Sequence, residues 1–267
     1  MSSDPPEVDF DNPLASRRYR LKPPRHFGIR LSRALADRLE SFVASRSTHP
    51  DVAVYDNATF PWAKRVEQNW RGIRAELDVL MERRESMPSF HEILAEAGTI
   101  TQDNQWKTFF LLGPGLDCRK NQEQCPKTMQ ALKEIPDIQT AFFSILSPHK
   151  HIPAHRGAFN GVLRYHLGLQ VPQPREDCRI RIGTQTCSWQ EGKSLIFDDT
   201  YNHEVWNDTD GYRVVLFVDF IRPMRSPHDH WVKTLIKLAS YTPWFKEADG
   251  KQKKWEKKFY QNDAKPS

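Results

Sequence analysis

The spacing of apolar residues divides the chain into a helical first part and a strand-rich second part. Apolar residues recur at close to the helical period over residues 29–45 and again over 62–84, so each segment is predicted to form a helix. Residues 90–97 are predicted to form a shorter one. After Gln105 the apolar spacing falls from about 3.6 residues to about 2, which is typical of strands.

Predicted strands follow one another at short intervals through the second part. They fall at 106–112, 139–146, 161–169, 179–183, 186–189, 194–197, 203–206 and 212–220, with one short helix at 128–135. Gly192 and the Asp210-Gly211 pair mark turns between them. Many short strands with turns at this spacing predict an all-β core, either a barrel or a jelly roll.

Helical spacing returns near the C-terminus, where apolar residues alternate with lysines from Trp231 to Tyr241 and Pro243 ends the pattern. This amphipathic helix either packs on the β core or lies on a membrane surface. Four regions are therefore expected. They are a flexible N-terminal arm at 1–27, a helical part at 28–104 that packs on the core, a β core at 105–225, and the C-terminal helix with a basic tail at 226–267.

Composition narrows the class of protein. The chain has 267 residues and a mean hydropathy of −0.69, with no apolar run long enough to span a membrane and no apolar stretch near its start that would form a secretory signal. A soluble, cytoplasmic protein is expected.

The net charge of +5 is concentrated in two places. The basic clusters are Arg17, Arg18, Arg20, Lys22 and Arg25 near the start, and Lys251, Lys253, Lys254, Lys257 and Lys258 near the end. They are either solvated tails or contacts to lipid phosphates that hold the protein peripherally at a membrane. No nucleic-acid recognition motif accompanies them, and no nucleic-acid partner is expected.

The four cysteines do not predict a metal site. Cys118 and Cys125 lie in a loop-like stretch, and neither a second close pair nor a nearby histidine completes a zinc site. Cys178 and Cys187 lie on predicted strands and are expected to be small core residues.

Two blocks of the β region carry candidate chemistry, because each has a histidine followed by an arginine on a strand. His155 precedes Arg164, and His203 precedes Arg213. Two imidazoles can hold a divalent metal, and guanidinium groups can bind the carboxylates of an acidic cosubstrate. Arg213 lies on an otherwise apolar strand, and a buried arginine needs an anionic partner. An external anion is therefore expected at Arg213.

Three segments carry a family resemblance: LRYHLGL at 163–169, EGKSLIFDDTYNHEVWND at 191–208 and RVVLFVDFIRP at 213–223. Through them, residues 106–223 resemble the aspartyl/asparaginyl β-hydroxylase family of Fe(II)- and 2-oxoglutarate-dependent dioxygenases, which also includes bacterial lipid A acyl-chain hydroxylases. The resemblance implies a mainly β fold, a double-stranded β-helix of the jelly-roll and cupin type. It also implies an enzyme that uses Fe(II), 2-oxoglutarate and O₂.

The resemblance assigns roles to individual residues. His155 and His203 would bind the metal, Arg213 and Ser144 would bind the far carboxylate of 2-oxoglutarate, and Arg164 with His166 would meet its near carboxylate or the substrate. Arg164 and His166 share one face of their strand, as side chains two positions apart do. A structural ion pair is the alternative role for Arg164.

The metal pattern of the resemblance is incomplete. The usual His-x-Asp/Glu motif has Gly157 at its carboxylate position. A water held by Asp199 would fill the vacancy, so that Asp199 takes part in catalysis; the alternative for Asp199 is an ordinary turn residue. Iron is expected to be held more weakly than by a full triad and to be lost readily to chelators.

The expected reaction is hydroxylation of a C–H bond with release of succinate and CO₂, most simply at the β-carbon of an amino-acid residue or a related small molecule. Animal relatives that act on Asp and Asn carry a second arginine where this chain has Val162. That loss fits a less charged substrate, so hydroxylation of a lipid acyl chain at a membrane stays open. A non-catalytic binding module is the third alternative. By the same resemblance Cys118 and Cys125 would form a disulfide in an oxidising compartment, whereas in the cytosol both thiols would stay reduced.

Overall fold

The computed structural model describes residues 13–16, 27–239 and 243–261. Most of the predicted N-terminal arm, including its basic cluster Arg17, Arg18, Arg20, Lys22 and Arg25, lies outside these residues. The helices are α1 (Phe27–Arg46), α2 (Trp62–Gln68), α3 (Trp70–Met81), α4 (Phe90–Ile93), α5 (Arg119–Gln124), α6 (Pro126–Leu132), α7 (His228–Ala239) and α8 (Pro243–Gln261).

Within the described residues, ten strands form two antiparallel sheets. The strands are β1 (Val54–Tyr55), β2 (Trp106–Leu112), β3 (Ile138–Leu146), β4 (Lys150–His155), β5 (Val162–Gln170), β6 (Cys178–Ile182), β7 (Gln185–Ser188), β8 (Ser194–Phe197), β9 (His203–Asn207) and β10 (Arg213–Ile221). One sheet has six strands in the order β1-β8-β5-β10-β3-β2, and the other has four in the order β4-β9-β6-β7. The predicted mainly β, double-stranded β-helix fold is confirmed.

The two sheets pack face to face through alternate residues of each strand. Phe142 of β3 and Val215 of β10 point from the larger sheet toward Ile180 and Val205 of the smaller one. Because successive side chains of a strand point to opposite faces, the neighbours of these residues point to the outer face of the larger sheet. The space between the sheets is where the candidate site lies.

Helices cover that outer face. Phe143 and Leu216 pack there in one cluster with Ile73 of α3, Leu132 of α6 and Phe259 of α8. Both faces of the central strands are therefore buried. This explains why β3 and β10 are nearly continuous runs of apolar residues, whereas a strand with one exposed face alternates apolar and polar residues.

Several elements differ from the expected pattern. The helix expected at 62–84 is two helices, α2 and α3, which meet at Asn69. Strand β4 was not expected, because KHIPAH is polar and contains Pro153, and a proline cannot donate to the strand ladder. Pairing with β9 nevertheless holds the segment in a strand. His151 of this strand is exposed and bonds Glu204 at 2.8 Å.

The C-terminal lysines lie on a packed helix rather than on a tail. Within α8, Phe259 is buried beside Phe109, and the Trp255 indole donates a hydrogen bond to the Ser86 carbonyl oxygen at 2.7 Å. The lysines from Lys251 to Lys258 belong to this helix. Among the helices of the described ranges, none has the length and apolar character needed to cross a bilayer.

Candidate active site

His155 and His203 face each other across the pair β4–β9. They are register partners, and their ring centroids lie 4.1 Å apart. The Nδ1 of His155 lies 2.8 Å from the Pro153 carbonyl oxygen, and that of His203 lies 2.9 Å from the Tyr201 carbonyl oxygen. A carbonyl oxygen only accepts, so each Nδ1 carries the proton and each Nε2 keeps a lone pair for a metal.

Burial also keeps both imidazoles neutral. It lowers the pKa of His155 to about 4, and it lowers the pKa of His203 well below its usual value, with the neighbouring His155 adding to the effect. Neutral imidazoles are the form that binds a divalent metal. The pair is thus ready to bind a metal without losing a proton first.

Asp199 fills the gap left at position 157. A β-carbon built on Gly157 would overlap the Asp199 carboxylate, so that carboxylate stands where a side chain at 157 would begin. The Gly157 amide also donates to the Asp199 carbonyl oxygen at 2.7 Å, which ties the two loops together. Burial raises the pKa of Asp199 to about 6, against the lowering effect of Arg164.

Asp199 does not form a three-ligand cluster with the two histidines. Within the parts of the chain that the structure describes, no group of three His, Cys, Asp or Glu side chains is arranged to hold a metal ion. Two neutral imidazoles beside a carboxylate nevertheless suit Fe(II), with the remaining positions left to water and a cosubstrate. The donor set therefore fits iron held by two histidines.

Arg164 is paired with two protein carboxylates. Its Nε and Nη2 bond the two oxygens of Asp219 at 2.9 and 3.1 Å, and its Nη2 lies 2.9 Å from Asp199 Oδ2. Burial alone would lower the pKa of Arg164, but Asp199 and Asp219 raise it overall. Contact of Arg164 with the near carboxylate of a cosubstrate stays a prediction, and the structural ion pair raised as its alternative is present.

Arg213 has no carboxylate partner among the described residues. Its side chain is 2% exposed, its Nε has no hydrogen-bond acceptor, and its guanidinium lies 4.6 Å from the centre of the Trp189 ring. Burial lowers its pKa to about 10. Asp219 belongs to the same strand but pairs with Arg164. A buried cation in this state suits an external anion, and the binding of one at Arg213 stays a prediction.

Donors around Arg213 converge on the same cavity. The Trp189 indole donates to His166 Nδ1 at 3.2 Å, so neutral His166 carries its proton on Nε2, an atom with no partner. The Trp106 indole donates to Ser144 Oγ at 3.0 Å, which directs the Ser144 hydroxyl proton elsewhere. One narrow cavity is lined by His155, His203, Arg164, His166, Ser144 and Arg213. Every predicted site residue except Asp199 lines it.

Helix α1 supports the loops that carry the histidines. Arg156, beside His155, donates through Nη2 to Glu40 Oε1 and through Nε to the Thr200 carbonyl oxygen, both at 2.8 Å. Thr200 lies between Asp199 and His203 in sequence, and its hydroxyl donates to Asp198 at 2.5 Å. Asp198 in turn forms a fully buried ion pair with Arg222. These contacts fix the spacing of the two segments next to His155 and His203.

A larger, mostly apolar cleft opens next to Arg164 and Asp199. Its volume is about 440 Å³, and Arg164, Asp199 and Phe217 line both this cleft and the space next to His155. The apolar wall of the cleft includes Phe90, Leu94, Phe110, Phe142, Val162 and Ile236. A cavity of this kind suits a largely apolar ligand.

Sequence reasoning missed several residues of the site. Asp219 escaped notice because its partnership with Arg164 depends on the register between β5 and β10. Trp106 and Trp189 orient Ser144 and His166, yet they read in sequence as ordinary core residues. A buried indole N–H needs a hydrogen-bond acceptor, and this requirement was the signal that could have identified both tryptophans.

The sequence profile of the aspartyl/asparaginyl beta-hydroxylase family matches residues 67–223. An ornithine lipid ester-linked acyl 2-hydroxylase from Rhizobium tropici is 53% identical over 207 residues, which is 78% of this chain and 74% of that protein. The human aspartyl/asparaginyl beta-hydroxylase is 35% identical over 172 residues, 61% of this chain but 21% of that protein. A prolyl-4-hydroxylase from Pseudomonas putida superposes on 57% of this chain and 87% of its own with a TM-score of 0.37 and 18% identity, too distant a similarity to bear on function.

Proposed function

Because the chain belongs to the aspartyl/asparaginyl β-hydroxylase family, we propose that it is an Fe(II)- and 2-oxoglutarate-dependent dioxygenase that hydroxylates a C–H bond of a lipid acyl chain. The overall reaction would consume O₂ and 2-oxoglutarate and yield the hydroxylated lipid, succinate and CO₂. The observation that carries the choice of substrate is the apolar cleft, which shares Arg164, Asp199 and Phe217 with the space beside His155.

Iron would be held by the Nε2 atoms of His155 and His203. When bound, it supplies, with 2-oxoglutarate and O₂, the oxidising power for C–H hydroxylation. The chain's own contribution begins with the carbonyl bonds at both Nδ1 atoms, which keep the imidazoles neutral and oriented. Asp199, which fills the space beside Gly157, would hold a water at the position that a third ligand usually takes.

Arg213 would bind the far carboxylate of 2-oxoglutarate. A guanidinium in a dry pocket forms two parallel hydrogen bonds to a carboxylate, and these bonds are stronger there than in water. The Ser144 hydroxyl would donate to the same carboxylate, since the Trp106 indole occupies one of its lone pairs. The His166 Nε2–H faces the same cavity and would donate to a cosubstrate oxygen.

The cleft would position the acyl chain. Its aromatic and aliphatic wall would replace water around the methylene groups, at about 0.8 kcal/mol for each CH₂ buried. Water excluded from the cleft would also be kept away from the metal. Val162 adds apolar surface at the position where relatives that act on Asp and Asn carry an arginine, a cation suited to an acidic side chain.

Hydroxylation of an amino-acid residue is the second candidate, and the carboxylates and guanidinium at the inner end of the cleft favour it. Arg164, Asp199 and Asp219 could meet a polar substrate there. These groups already satisfy one another, however, which lowers their value as a recognition site.

The test is a direct comparison of substrates with purified protein, Fe(II) and 2-oxoglutarate. Micelles of an amino-acid-containing acyl lipid are supplied in one set of reactions and Asp- or Asn-containing peptides in another. Mass spectrometry should find a gain of one oxygen in the acyl chain and none in the peptides. A gain of oxygen by the peptides alone would support the second candidate, hydroxylation of an amino-acid residue, in place of the first.

A further inference from the structure

Two helices carry apolar side chains on their solvent side. On α7, Trp231, Leu235 and Leu238 fall on one helical face and are 47%, 37% and 63% exposed. On α1, Leu35 and Phe42 fall on one face and are 68% and 37% exposed. We call these five residues the α1/α7 surface. A monomeric protein usually scatters such residues, whereas here they share two faces.

The apolar residues of this surface are not needed to pack the helices onto the β core. That role belongs to another stripe, in which Val43 of α1 and Val232 of α7 are fully buried beside Met224. The two helices also touch on the solvent side, where the Phe42 ring lies 6.1 Å from the Trp231 ring. Each helix therefore has a second apolar stripe whose role lies outside the core.

Cations border the α1/α7 surface. Arg38, Arg46 and Arg225 are exposed, and the Arg46 guanidinium lies 5.5 Å from the centre of the Phe42 ring. The acids nearby are Asp37, which is partly buried, and Asp229, which bonds His230 at 2.8 Å. Apolar side chains ringed by arginines suit a lipid bilayer with anionic headgroups. A second copy of the chain fits less well, because a symmetric contact would bring the arginines together.

The same helices reach the candidate active site. Ile236 of α7 lines the apolar cleft, and Glu40 of α1 holds Arg156 beside His155. A protein seated on a bilayer through the α1/α7 surface would therefore have an entrance to its cleft next to the lipid. The short path matters because an acyl chain leaving a bilayer through water loses its apolar surroundings.

We propose that the α1/α7 surface docks this protein onto an anionic lipid bilayer so that acyl chains enter the cleft beside α7. The proposal rests on the proposed function for its purpose, but binding can be measured without catalysis. It differs from the contact expected from the terminal basic clusters, because the C-terminal lysines lie on α8 and the N-terminal ones lie outside the described residues.

The experiment is co-sedimentation with phosphatidylcholine vesicles with and without phosphatidylglycerol. The wild-type protein should bind the anionic vesicles, and the double variant Trp231→Ser/Leu238→Ser should bind at least about tenfold more weakly, which corresponds to about 1.4 kcal/mol. The variant Arg38→Glu/Arg225→Glu should lose the dependence on anionic lipid. Val79→Ser is the matched control, because Val79 is 65% exposed on α3, away from this surface, and its loss should change nothing.

Hydroxylation of micellar lipid is measured in parallel and should be unchanged in Trp231→Ser/Leu238→Ser. Absence of wild-type binding, or equal binding by wild type and this variant, would overturn the docking proposal. A third result would also overturn it: light scattering that finds the wild type to be a dimer and the variant a monomer, while both bind vesicles equally. Vesicle binding without hydroxylation of any lipid would count against the proposed function alone.

Discussion

The carboxylate of Asp199 occupies the space that a β-carbon at Gly157 would fill. The glycine is therefore a steric requirement of the site, because any larger side chain at 157 would begin inside the Asp199 carboxylate. Arg164 fixes the arrangement by pairing with Asp199 and Asp219 together.

Gly157→Ala should destabilise the fold through this overlap. Overpacking of a tight site costs about 1–3 kcal/mol in the free energy of unfolding. Asp199→Gly should remove the clash, so the double variant should be more stable than the sum of the two single effects predicts. Urea denaturation of the wild type, both single variants and the double variant measures this coupling. Additive effects would show that the two positions do not share space.

Arg213→Met should weaken 2-oxoglutarate binding without weakening the fold. Loss of hydrogen bonds to a charged group, at about 1.5–3 kcal/mol, should raise the KM for 2-oxoglutarate by about 10- to 150-fold. Stability without cosubstrate should stay the same or rise, because the variant removes a buried cation that has no carboxylate partner among the described residues.

Arg222→Met is the control for that prediction, because Arg222 is an equally buried guanidinium that pairs with Asp198. Its loss leaves a buried carboxylate uncompensated and should destabilise the protein by about 3–5 kcal/mol. Similar losses of stability in both variants would mean that Arg213 has a structural partner after all.

Val162→Arg should impair turnover of an acyl substrate. Val162 lines the apolar cleft on the same face of β5 as Arg164, so a second guanidinium there would either displace the acyl chain or be desolvated by it. A fall of about 10- to 100-fold in kcat/KM is expected, with a smaller effect from the apolar control Val162→Leu. Unchanged lipid turnover in Val162→Arg would place the substrate elsewhere.

The four cysteines should behave as free thiols of unequal reactivity. All four are free, and only Cys187 is partly exposed. Burial raises the pKa of Cys118 to about 12 and that of Cys178 to about 11, so few thiolates form at pH 8. In the folded protein a thiol reagent should react first at Cys187, and unfolding without reductant should expose four thiols. Recovery of two would indicate a disulfide.

The sequence predicted the β core well because its signal is strong where strands are buried. Long apolar runs located β3, β5 and β10 to within a residue or two. Strand β4 escaped prediction because pairing with β9 overrides its polar sequence. The break between α2 and α3 at Asn69 was missed because the apolar residues keep their helical spacing across it. Such spacing predicts a helix but does not show where one helix ends and the next begins.

The residues that line the site could be named from the sequence, but the side chains that pair with them could not. His155, His203, Ser144, His166 and Arg213 were named from sequence, and all line one cavity. That Asp219 pairs with Arg164 follows from strand register across 55 positions, which local pattern does not encode. Likewise, the contact of Glu40 with Arg156 joins residues 116 positions apart and depends on how α1 docks.

The most direct test of the central claim is Fe(II)-dependent release of succinate from 2-oxoglutarate in the presence of acyl lipid. The account predicts one succinate for each acyl chain hydroxylated. A chelator and His203→Ala should abolish the activity, and Val79→Ser, a change at an exposed position of α3, should retain it. Succinate release that persists in His203→Ala, or its absence from wild-type protein that has bound iron and lipid, would contradict the account.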